Sequence, residues 1–178
     1  LGNIGIGIFT FLSGRVEANT IVGQAFFVSS GQLSDSNSQG INDELQINLY
    51  NINAPATGKS YYAWLVNDQL KSHFTCITKN EPTIVQVPLG KLPPVVNGTV
   101  NYLYTGDANH TNLISCMSRL LITEEAANRT PLQPTTDTST WRYFAQLPQM
   151  PDPTNTNGYS GLDNLRLLLY EGGDLKNK

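Results

Sequence analysis

The chain is 178 residues long, enough for one domain with at most a small appendage. Only 14% of it is charged and 39% hydrophobic, against ~25% and ~45–50% (a range that counts Gly) in average domains. Asn, Thr, Ser and Gln fill the gap. The net charge of -3, with no basic run, excludes a phosphate-binding surface of the nucleic-acid kind. Uncharged polar turns suit an extracytoplasmic β-protein better than a helical cytosolic one.

The first thirteen residues, LGNIGIGIFTFLS, are apolar but shorter than the ~18 needed to span a bilayer. They fit two readings: the outer end of a membrane anchor, or a first strand marked by the alternation of Ile4, Ile6 and Ile8. Residues 20–29 (TIVGQAFFVS) are β-branched and aromatic, and a polar turn, SDSNSQG, follows at 34–40. Residues 44–50 (ELQINLY) alternate, with Leu45, Ile47 and Leu49 on one face and Glu44, Gln46 and Asn48 on the other. That is the period of a half-buried strand. Residues 60–66 (SYYAWLV) are apolar on both faces, which predicts a strand covered on each side. Pro88, within the alternating run 83–89, marks a strand end or a sheet edge.

Asn97-Gly98 is the strongest short turn signal, and 99–104 (TVNYLY) is the next strand. The apolar run 112–123 reads as strand by its neighbours. Residues 127–139 are Thr- and Pro-rich and read as a linker. Residues 140–147 (TWRYFAQL) are aromatic enough to dock on the domain. Leu162, Leu165, Leu168 and Leu169 recur at helical spacing behind a capping-box pattern at Ser160, and Gly172-Gly173 stops them. The expected fold is therefore all-β, an antiparallel β-sandwich with a short C-terminal helix. The expected division is an N-terminal apolar segment (1–19), the sandwich (20–135) and a C-terminal extension (136–178).

Reactive chemistry finds little purchase. A copper site would draw on His73, His110, Cys116 and Met117, but Cys116 and Met117 are adjacent and diverge on a strand. No zinc-ligand spacing and no G-x-S-x-G elbow is present, and no serine has an obvious His–Asp partner. The neighbouring acids Asp43-Glu44 and Glu124-Glu125 read as solvated strand ends, and His110 as a solvent-exposed loop residue. No catalytic, metal or cofactor residue is assigned. Cys76 and Cys116 could pair in a disulfide, closing a loop worth about 3–4 kcal/mol, or remain two buried thiols. Tyr61, Tyr62, Trp64, Tyr102, Tyr104, Trp141 and Tyr143 could form an interaction surface, a platform for sugars, although sandwich cores use the same residues.

The order of motifs carries a resemblance. Residues 58–66 (GKSYYAWLV) are similar to the G-x-x-Y-x-x-W-L strand of the extracytoplasmic domain of anti-sigma-K factors. Pro88-Leu89-Gly90, Asn97-Gly98-Thr99-Val100 and Leu121-Ile122-Thr123-Glu124-Glu125, running on to Pro131, follow in the family's order, over roughly 20–135. The resemblance implies a β-sandwich carried outside the membrane by a single-span bacterial cell-envelope protein. It implies a sensing or protein-binding role, a tether through a span preceding the chain, and no catalytic residues. The chain departs from the family in lacking a cytoplasmic zinc-binding segment and in its tail beyond about Thr135. The alternative expectation is a structural or accessory subunit of a larger envelope assembly.

Overall fold

The computed structural model describes residues 8–13, 21–32, 40–67, 86–114 and 117–146. They form eight strands: β1 (Ile8–Ser13), β2 (Ile21–Val28), β3 (Glu44–Leu49), β4 (Lys59–Asn67), β5 (Gln86–Lys91), β6 (Val100–Tyr104), β7 (Met117–Ala126) and β8 (Trp141–Gln146). A single 3₁₀ turn, Thr138–Thr140, precedes β8. Period-two patterning sets the strands. In β3, Leu45, Ile47 and Leu49 are buried while Glu44, Gln46 and Asn48 alternate with them, half-buried.

The strands hydrogen-bond in the order β5-β4-β7-β8-β1-β2-β3-β6, and every neighbouring pair is antiparallel. The β8–β1 join is narrow, with Leu12 opposite Phe144 and Ser13 opposite Tyr143. There the ladder folds over, and its two halves pack face to face as an antiparallel β-sandwich. Phe27, Leu45 and Ile47 from one half share one core with Leu65, Leu120 and Ile122 from the other. Each such side chain contributes about 1.5–3 kcal/mol on burial. The outer face of β4 is apolar as well, as its sequence predicts. Tyr62, Trp64 and Leu121 form a second buried cluster, and the Trp64 indole N–H donates to the Thr123 hydroxyl at 2.9 Å.

β5 and β6 are the free edges of the ladder. Pro88 lies exposed on β5, where no ladder N–H is needed on the outer side. The Tyr102 hydroxyl of β6 donates to the Leu89 carbonyl of β5 at 2.5 Å and ties the two edges together. Asn97 (φ 51°) and Gly98 (φ 75°) form the expected two-residue turn, closed by Val96–Thr99 backbone bonds of 3.0 and 2.9 Å. This turn does not make a hairpin of its flanking strands. β5 pairs with β4 and β6 with β3, so the turn carries the chain from one half of the sandwich to the other.

Three expectations change. The division at 19/20 and 135/136 cuts through the sheet, because β1 and β8 are its central strands. Residues 141–146 are not an addition: Tyr143 and Ala145 point into the main core. Of the apolar run 112–123, Asn112, Leu113 and Ile114 are buried but outside any strand, and β7 begins at Met117. The predicted C-terminal helix, Cys76, Cys116 and His73 lie outside the described residues. No helix among the described residues is long and apolar enough to cross a membrane.

The antiparallel order gives the sandwich two distinct ends. The β3–β4, β5–β6 and β7–β8 connections meet at one. The β2–β3 and β6–β7 connections share the other with the start of β1 and the end of β8.

Candidate functional site

A pocket of about 420 Å³ opens at the first of these ends, lined by Asn53, Ala54, Ala56, Tyr61, Glu124, Arg142 and Tyr143. Strand phase explains its walls. Tyr61 of β4 stands opposite Glu124 of β7, and Glu124 is in phase with the inward-facing Leu120 and Ile122. In β8 the register slips: Ile122 faces Tyr143 and Thr123 faces Trp141, so Arg142 is the extra residue of a bulge. A bulge re-aims side chains, and this one puts Arg142 beside Tyr143 on the inner side. The β3–β4 connection, 50–58, supplies the remaining wall.

Glu124 is only 6% exposed, and its carboxylate is nonetheless saturated with donors on one side. The Ala56 N–H donates to Oε1 at 2.7 Å, Arg142 Nε donates to Oε2 at 2.5 Å, and Arg142 Nη2 pairs with the same oxygen. Arg142 Nη1 donates to the Ser139 carbonyl at 3.0 Å, a second anchor for the guanidinium. Burial works to raise the Glu124 pKa, but the Ala56 N–H and the Arg142 guanidinium outweigh it and hold the carboxyl below its ordinary 4.5. The Tyr61 and Tyr143 rings meet edge to face at 5.7 Å. The Tyr61 hydroxyl donates to the Asn53 carbonyl at 3.0 Å. Burial, then the adjoining Tyr143 hydroxyl, push the Tyr61 pKa far up, so the ring stays protonated.

The opposite end holds a second polar cluster. Asp43 is fully buried. Its Oδ1 accepts from the Ser30 N–H at 2.9 Å, and its Oδ2 accepts from the Ser30 hydroxyl at 2.7 Å and lies 2.8 Å from His110 Nδ1. Burial opposes ionisation, and the Ser30 and His110 bonds override it, leaving the Asp43 pKa below its ordinary 3.8. Serine, histidine and aspartate are thus together, but not as a nucleophile relay. A relay needs the imidazole between hydroxyl and carboxylate. Here the Ser30 hydroxyl donates its hydrogen bond to Asp43 directly and sits 3.4 Å from His110 Nδ1. The cluster braces the β2–β3 and β6–β7 connections. Asn42 (φ 51°) and His110 (φ 50°) take up the left-handed backbone that the turns there require.

These contacts correct several sequence readings. Asp43 and Glu124 are not solvated strand ends but buried acids with matched donors. His110 is not a free loop residue: its side chain is 25% exposed and tied to Asp43. Met117 of the copper inventory is buried in the core. Among the described residues no group of three or more His, Cys, Asp or Glu could hold a metal ion. Of the interaction aromatics, Tyr61 belongs to the main core, Tyr62 and Trp64 are sealed in the outer cluster, and Tyr102 and Tyr104 pack half-buried against the core. Tyr61 and Tyr143 line the pocket, and Trp141 is exposed. Sequence reading missed Arg142, because a one-residue bulge leaves no mark on the alternation. Glu124 was within reach, since it continues the phase of Leu120 and Ile122.

Large apolar side chains are exposed chiefly around the same end as the pocket. Ile21 at the start of β2, Tyr50 after β3, Val96 before the Asn97-Gly98 turn, Leu132 in the β7–β8 connection and Trp141 at the start of β8 are all exposed there, Leu132 by 83%. Comparison with known proteins returns no family model, no curated protein and no solved structure that matches this chain.

Proposed function

We propose that the chain is a non-catalytic, extracytoplasmic sensor or interaction module that engages its partner through the pocket end of the sandwich. The observation that carries this reading is the coincidence, at one end, of the Glu124–Arg142 pocket with the exposed Ile21, Tyr50, Val96, Leu132 and Trp141. Rigid sheets presenting a concave polar site with exposed apolar side chains at the same end are an arrangement for recognition. A general acid needs a raised pKa, whereas Glu124 is held ionised by its donors.

The finer reading is a membrane-tethered regulatory protein of the anti-sigma-factor type, in the bacterial cell envelope. Its support is the ordered set of motifs from Gly58 to Pro131. Of that set, Tyr61 and Leu65 are buried in the main core and Trp64 in the outer cluster, as a motif that defines a fold should be. The second reading, an accessory subunit of an envelope assembly, has its own observation: Trp141 and Phe144 lie about 40% exposed on the outer face of β8.

External protease applied to intact cells making the chain in its natural flanking context tests location. Degradation without lysis is expected, and protection until lysis overturns the extracytoplasmic assignment. Sedimentation of purified chain separates the two readings: a monomer supports the sensor, and obligate association supports the subunit.

A further inference from the structure

The atoms around the pocket narrow what can occupy it. Glu124 and Arg142 cancel each other's charge. An anion entering the pocket meets a carboxylate already fixed by three donor atoms, and a cation meets the guanidinium. A purely apolar ligand would strip water from both groups and return no hydrogen bond. What remains is a demand for neutral hydroxyls. An ionised carboxylate offers about four acceptor positions and a guanidinium five N–H donors. Ala56 N and Arg142 Nε and Nη2 occupy three of the former. The Glu124 and Ser139 contacts use Nε, Nη2 and Nη1, each of the last two with a second N–H to spare. One carboxylate acceptor beside guanidinium donors matches a vicinal diol, in which one hydroxyl donates and its neighbour accepts. The edge-to-face pair of Tyr61 and Tyr143 supplies the apolar wall against which the C–H face of a sugar ring packs.

We propose that this pocket binds a neutral polyhydroxylated ligand, a mono- or disaccharide unit, through Glu124 and Arg142 with Tyr143 as its apolar wall. A volume of about 420 Å³ lies toward the low end of the ~300–1,000 Å³ typical of small-molecule sites and accommodates one or two sugar rings. The proposal rests on reading this end as the binding end.

The test is saturation-transfer NMR and calorimetry on the full chain. The probes are the methyl glycosides of glucose, galactose, mannose and N-acetylglucosamine, with maltose, lactose and chitobiose. Inorganic phosphate and tetramethylammonium serve as charged controls. At least one saccharide is expected to saturate in the millimolar range, with amide shifts at Asn53, Ala54 and Ala56 in the unaltered protein. Arg142→Lys is expected to weaken it by roughly tenfold, the loss of about one charge-assisted hydrogen bond. No saturable saccharide, shifts confined to other residues, or tighter binding of phosphate each overturns the proposal. If Arg142→Lys fails to unfold cooperatively, the amide shifts decide alone. A saccharide bound and also cleaved would keep the site and overturn the non-catalytic reading. A chain protected from external protease would overturn its location and leave the site standing.

Discussion

Glu124 and Asp43 both contribute to the response of the protein to acid. Both carboxyls have folded pKa values below their ordinary 4.5 and 3.8, so the unfolded chain binds protons more readily than the folded one. Their contribution is complete above the unfolded values and is lost as pH falls through the folded ones. Urea midpoints are therefore expected to hold from pH 7 to about 5 and to drop steadily below about 4.5. Glu124→Gln flattens part of that drop, because an amide does not titrate. Arg142→Ala leaves the buried Glu124 carboxylate with the Ala56 N–H as its remaining described donor, at a cost of about 2–3 kcal/mol at neutral pH. Chemical denaturation of the two variants at pH 7 and pH 4 checks both statements. Gly23 is a packing requirement: a Cβ there would stand 2.3 Å from the Asn48 carbonyl oxygen of the paired strand. Gly23→Ala is expected to destabilise by about 1–3 kcal/mol, measurable by the same method.

At the scale of elements, alternation and turn chemistry decided which segments were legible. β3 and β4 were readable because one has a single apolar face and the other has two, and burial follows those patterns residue by residue. The Asn97-Gly98 turn was readable because both residues accept positive φ without strain. Which strands pair across it was not, since partner choice is made by the packing of the whole sheet and not by the turn. The bulge at Arg142 was illegible for a related reason: it exists only as a mismatch between β7 and β8, and neither strand alone records it. The seam between β5 and β6 depends on a side chain. Tyr102→Phe removes the bond to the Leu89 carbonyl while keeping the ring, at an expected cost of about 1 kcal/mol. Hydrogen exchange should then accelerate in β5 and β6 and stay unchanged in β2, which lies away from that seam.

The described strands form one continuous hydrogen-bonded ladder, and the first and last of them are its middle. A fragment of residues 20–135 lacks β1 and β8 and so loses the join between the two halves. It is expected to show no cooperative urea transition, whereas the full chain shows one; circular dichroism of both checks this. Composition, with its uncharged polar surplus, made the fold class legible, but it could not show that the aromatic stretch 141–146 inserts at the centre. That depends on Tyr143 and Ala145 finding the core across two other strands. The same arrangement fixes an orientation. β1 begins and β8 finishes at the end bearing Asp43 and His110, and Glu124 and Arg142 lie at the other. Copies mounted side by side on a surface through either of those strands would all turn their mouths outward in parallel. Weak single-site contacts to a repetitive polymer could then add up through avidity, with a strength set by how densely the copies are spaced and not by any one pocket.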